Sequence, residues 1–75
     1  MTRLPRGVSG RRTIAALKRA GFSQRRGKGN HVVLRREDPF AQVVVPLHRS
    51  LDTGTLAAIL DACNLSVEEF LRLLG

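Results

Sequence analysis

Tryptophan and tyrosine are absent from this 75-residue chain, and phenylalanine occurs only three times. Platforms for stacking bases are therefore scarce, and sequence-specific reading of single strands is not expected. One cysteine, Cys63, excludes an intramolecular disulfide and a cysteine-rich metal framework. The two histidines, one cysteine and dispersed carboxylates show no ligand spacing of the C-x2-C or H-x3-H kind. No metal site and no cofactor are expected. No apolar run approaches the ~18 residues of a membrane span, and no stretch combines a basic face with a bulky apolar one. A membrane partner is therefore not expected. The basic N-terminus is not followed by an apolar segment, so no secretory signal is expected.

Acidic charge is missing from half of the chain. Residues 1–36 contain no Asp or Glu, yet hold eleven of the thirteen Lys and Arg. They are Arg3, Arg6, Arg11, Arg12, Lys18, Arg19, Arg25, Arg26, Lys28, Arg35 and Arg36. Residues 37–75 set only Arg49 and Arg72 against Glu37, Asp38, Asp52, Asp61, Glu68 and Glu69, so the two halves are opposite in sign. So lopsided a field points one half at a polyanion, and nucleic acid is the obvious one. Its binding should be mainly electrostatic and fall steeply with salt.

Seventy-five residues make a single domain, 1–75, with a small core. Residues 1–8, with Pro5 and Gly7, are expected to form a flexible leader. Ser9 is a good N-cap, and Ile14, Ala16, Leu17 and Ala20 share one face of a helix from Gly10 to Ala20. Gly21 follows as the left-handed residue that ends it. Phe22–Arg26, His31–Arg36 and Ala41–Val45 read as three strands. They are separated by the turns Gly27-Lys28-Gly29-Asn30 and Glu37-Asp38-Pro39, and Pro46 ends the third. Turns so short require antiparallel neighbours. After a loop over Leu47–Asp52, a second helix runs from Thr53 or Gly54 to Cys63, with Leu56, Ile59, Leu60 and Cys63 inward and Asn64 as its cap. Ser66 and Glu69 match a capping box for a short last helix, anchored by Phe70, Leu71 and Leu74. The order predicts an α+β fold: a three-stranded antiparallel sheet with helices packed on one face, α-β-β-β-α plus a short C-terminal helix. The other face is left to solvent or a partner.

Five segments stand in order along the chain: Ser9-Gly10-Arg11-Arg12, Ala16-Leu17-Lys18-Arg19-Ala20-Gly21-Phe22, Gly29-Asn30-His31, Val44-Val45-Pro46-Leu47-His48 and Gly54-Thr55-Leu56 with Ile59-Leu60. Together they resemble the HicA toxin family. The resemblance covers about residues 9–71. It implies a fold similar to the double-stranded RNA-binding domain and a small prokaryotic toxin acting in the cytoplasm as an mRNA interferase. It also implies a HicB-type antitoxin partner. The family's active-site histidine opens the second strand, the place His31 holds here. Asn30 stands where members more often carry Ser or Gly, and Asn tolerates the positive φ that such a turn can need.

RNA cleavage needs a base for the ribose 2′-OH, an acid for the leaving 5′-oxygen and cations for the charge on phosphorus. An imidazole titrating near ~6.5 suits either proton transfer. His31 is the candidate acid–base residue, and Arg25, Arg26, Lys28, Gly29, Asn30 and Arg35 are candidate RNA contacts. His48 is a second catalytic candidate, because the end of the third strand lies beside the start of the second. For each histidine the competing reading is a polar residue with no catalytic role. Glu68 and Glu69 are read as helix-start residues rather than an acid pair, and Cys63 as core filler. Phe40 is the aromatic to test for base contact. The alternative function is a non-catalytic RNA- or DNA-binding module using the same basic face. A third is an interaction protein whose basic surface serves to dock an acidic partner. Cleavage lost with His31 separates the first reading from the second.

Overall fold

The computed structural model describes residues 2–75. Six elements follow one another: α1 (Gly10–Arg19), β1 (Ser23–Arg25), β2 (His31–Glu37), β3 (Phe40–Pro46), α2 (Thr53–Ala62) and α3 (Val67–Leu74). The strands form one antiparallel sheet in the order β1-β2-β3. This is the expected α+β arrangement, like that of a double-stranded RNA-binding domain.

Alternation along the strands decides which face is covered. Leu34 of β2 and Ala41, Val43 and Val45 of β3 are buried, together with Ile14, Ala16 and Leu17 of α1 and Leu56, Ile59 and Leu60 of α2. Phe70 of α3 and Leu51 complete this core. Register carries the other parity to the opposite face: Val33 lies opposite Val44, Arg35 opposite Gln42, and His31 opposite Pro46. That face has no helix on it.

Helix ends follow the local chemistry. Ser9 accepts from the Arg12 amide, Asp52 from the Thr55 amide at 2.6 Å, and Ser66 and Glu69 close the full capping box. Gly21 at φ +98 and Asn64 at φ +55 end α1 and α2 in the left-handed conformation. In both, the next residue donates back across the turn, Phe22 to the Leu17 carbonyl and Leu65 to the Leu60 carbonyl. Asn64 therefore lies one position beyond the cap itself, which is Cys63.

Other details depart from expectation. Phe22 is not part of β1; it turns into the core beneath Arg36, whose guanidinium sits 4.7 Å from the ring centroid. Arg36 also donates to the Pro39 and Cys63 carbonyls, so it braces the helix side of the sheet. Arg26 lies past the end of β1, while Phe40 and Pro46 both belong to β3. Leu71 does not anchor α3; it is exposed, while Phe70 is fully buried and Val67, Leu73 and Leu74 pack partly buried against the core. Within the leader segment, Val8 is buried and its carbonyl accepts from the Leu51 amide. Burial of Cys63 pushes its thiol up to about 11, which suits core filling and not nucleophilic chemistry.

Three carboxylates at helix starts give an acid-stability prediction. Asp52 is held below the usual carboxylate range chiefly by the Thr55 amide, and Glu69 chiefly by the Ser66 amide. Glu68 is lowered too, first by its own backbone amide and then by the Thr2 hydroxyl. A carboxyl lowered by folding adds stability that is present above its unfolded pKa and lost as pH falls through the folded one. Melting temperature should therefore be level above about pH 5 and fall below about pH 4.5. Asp52→Asn keeps a competent N-cap but has no carboxylate to protonate, so it should soften that fall with little cost at neutral pH. Thermal melts from neutral to acid pH check this; an unchanged acid slope in Asp52→Asn would remove Asp52 from the account.

Candidate active site

The loop between β1 and β2 builds the site. The His31 amide donates to the Lys28 carbonyl at 3.0 Å, closing a turn over Gly29 and Asn30. Gly29 takes the left-handed position at φ +57, so Asn30 need not. The Asn30 carbonyl accepts from the Leu47 amide at 2.6 Å, which ties the turn to the end of β3. Gly27 is pressed against the backbone of His31. A Cβ on it would overlap the His31 carbonyl oxygen and lie 2.8 Å from the carbonyl carbon. Thus His31 is held from both flanks while its side chain stays exposed at the head of β2.

A depression of about 560 Å³ opens here, lined by Arg26, Gly27, Lys28, His31, Val33 and Val44. Its floor is apolar, its rim is cationic, and no carboxylate lines it. An imidazole with two cations over an open concavity can bind a phosphodiester and exchange a proton with it.

The structure thus brings together Arg26, Lys28 and His31 among the residues expected from sequence. Gly29 and Asn30 shape the adjoining turn without lining the depression. Arg25 and Arg35 share the open sheet face but reach toward its far end. There Arg25 lies 3.5 Å and Arg35 3.6 Å from Glu37, so both are partly neutralised. Arg35 also donates to Gln42 and lies 5.8 Å from the Phe40 centroid. His48 does not line the depression. It sits in the loop after β3, where its carbonyl accepts from the Gly10 amide and its side chain helps to lower Asp52. Sequence reasoning missed Gly27, Val33 and Val44 as site residues. The adjacent pair Arg26-Gly27 was the only visible signal for the first.

The family model for the HicA toxin of bacterial toxin–antitoxin systems matches residues 10–65. The chain belongs to the HicA toxin family. It is accordingly the toxin half of a toxin–antitoxin pair, and an antitoxin partner follows from that membership. The HicA match runs from the start of α1 to just past α2 and includes the whole depression. No curated protein matches the chain. Among the described residues, no group of three His, Cys, Asp or Glu is placed to hold a metal ion. No helix among them is long and apolar enough to cross a membrane.

Proposed function

We propose that this HicA-family toxin is an endoribonuclease that cleaves mRNA without a metal ion, using His31 as its acid–base residue. The observation that carries the reading is the exposed imidazole of His31 at the rim of a depression with Arg26 and Lys28 and no carboxylate. In this reading Lys28 and Arg26 hold the scissile phosphate and offset charge that develops on it. His31 accepts the 2′-OH proton as that oxygen attacks phosphorus, and the imidazolium then has a proton to return to the departing 5′-oxygen. Acid–base help of this kind is worth ~10²–10⁴ in rate. Gly29 and Asn30 set the turn, and Arg25 and Arg35 add a more distant field along the RNA. A HicB-type antitoxin would neutralise the toxin by covering this basic face, and it should be acidic where it does so. The cytoplasm, where mRNA is translated, is the compartment in which such a toxin acts.

The test is RNA integrity after brief induced expression, wild type beside His31→Ala at matched protein level, with growth recorded. Rapid mRNA loss and growth arrest with wild type alone is the expected result. Purified protein should cleave in EDTA. His48→Ala should retain cleavage, since His48 stands outside the depression; its loss of activity would make His48 the second proton-transfer group. Intact RNA in both wild type and His31→Ala, with both folded, would favour a non-catalytic binding module.

A further inference from the structure

The sheet order leaves one side of β3 without a strand beside it. This edge runs seven residues, Phe40–Pro46, and carries no charge in a chain that is 25% Asp, Glu, Lys and Arg. Natural edge strands are normally blunted by a charge, a bulge or shortness, because a bare row of N–H and C=O groups pairs readily with another strand. Only Pro46, at its last position, offers such protection.

Which groups face outward follows from the ladder. The Leu47 amide donates to the Asn30 carbonyl at 2.6 Å, and the Arg35 carbonyl accepts from Ser23 on the β1 side. Antiparallel alternation then turns the backbone groups of Gln42 and Val44 away from β2, to the free edge. The side chains of this same set lie on the open sheet face. Phe40 and Val44 among them are 62% and 48% exposed, the two most exposed large apolar residues of the described chain.

We propose that β3 pairs antiparallel with β3 of a second copy of this chain, Gln42 opposite Gln42, to form a continuous six-stranded sheet. This register sets Phe40 of each copy opposite Val44 of the other, so both exposed apolar side chains gain a cross-strand partner. Shifting the two-fold by one residue would instead set Pro46, which has no N–H, opposite Phe40. One charge contact also fits: Asp38, which is in neither ion pair of Glu37, would lie toward the Pro46 end of the other copy, beside Lys28, His48 and Arg49. Equal parity keeps both His31 depressions on one face, where a single RNA strand can meet two sites.

Light scattering behind size exclusion tests this on the intact chain. Wild type should show twice the 8.3 kDa of one chain. Gln42→Pro removes the central outward N–H without touching the β2 ladder, and Phe40→Lys puts a charge at an exposed edge position. Each should halve the mass while keeping the wild-type circular dichroism. Gln42→Cys should form a covalent dimer on mild oxidation, since facing residues of a hydrogen-bonded pair lie ~5.5 Å apart at Cα. A wild type that stays at 8.3 kDa at the highest attainable concentration overturns the proposal. So does a dimer that persists in Gln42→Pro. If a monomeric toxin binds an antitoxin strand at this edge, and Gln42→Pro abolishes that, the occupant is the antitoxin and self-pairing is wrong.

Discussion

Gly27→Ala should abolish most RNA cleavage, lowering the rate about 100-fold or more, although residue 27 supplies no reactive group. The cause is steric. The added methyl would occupy the place of the His31 carbonyl oxygen, with the Val32 Cα at 3.0 Å behind it. Both obstacles are backbone of β2, which is fixed by its ladders to β1 and β3 and cannot yield as a flexible side chain would. The loop must therefore move instead. It carries Arg26 and Lys28, so any shift that relieves the clash opens the distance between the cations and His31. Displacement of a positioned group by ~1 Å can cost 10²-fold. Overpacking of this kind also costs about 1–3 kcal/mol, and each kcal/mol lowers the melting temperature of a domain this size by roughly 4–8 °C. Cleavage should be measured well below the variant's own melting point, so that loss of geometry is separated from loss of fold. Gly29 provides the control. It lies two residues away at φ +57 with open space around it, and Asn accepts that conformation. Gly29→Asn should cleave within a few-fold of wild type. A Gly27→Ala protein that cleaves as wild type does would show that the loop's position against β2 is irrelevant to the chemistry.

The contrast between these glycines shows what the sequence carries and what it does not. Local rules made much of the fold legible: Ser9 and the Ser66–Glu69 capping box start helices, Gly21 ends one, and the β-branched run Val43-Val44-Val45 marks a strand. His31 was legible because imidazole in a basic, glycine-rich turn is chemically conspicuous. Gly27 was readable only as a flexible turn residue, because a close approach is a fact about the neighbour and leaves no periodic trace. Arg25 and Arg35 looked equivalent to Arg26 in a one-dimensional charge count. Only the folded chain, which sets both arginines within reach of Glu37, separates them from the depression. Arg36, counted in the basic half but not among the candidate RNA contacts, is the inward neighbour of Arg35: strand parity lays it over Phe22. Leu71 failed for the converse reason. In a helix as short as α3, one buried residue, Phe70, holds the element, and its apolar neighbour in sequence points away.

Gly10→Ala is expected to destabilise the protein by about 3 kcal/mol, against the direction that helix propensity predicts. Alanine is the better helix former by ~1 kcal/mol in a helix interior, so a reading of α1 alone gives a neutral or stabilising change. Tertiary geometry reverses the sign. Gly10 is buried at the start of α1, and its amide donates to the His48 carbonyl at 2.9 Å. That bond draws the helix start onto the end of β3. A Cβ at residue 10 would overlap the Pro46 carbonyl oxygen, 3.0 Å from the carbonyl carbon and 3.1 Å from the Leu47 Cα. Every one of these obstacles is backbone again, and Leu47 is further pinned by its bond to Asn30. Relief requires α1 to lift from the sheet, which would expose Ile14 and Leu17, or the end of β3 to move, which would disturb the residue opposite His31. The loss should exceed that of Ser9→Ala, which removes the N-cap of the same helix for about 1 kcal/mol. Thermal unfolding of the two variants beside wild type decides it. Gly10→Ala should melt at least ~10 °C lower, and Ser9→Ala only several degrees lower. A Gly10→Ala protein that melts at or above wild type would mean that the helix start and the strand end are not in contact as described, and the path by which α1 supports the His31 site would have to be abandoned.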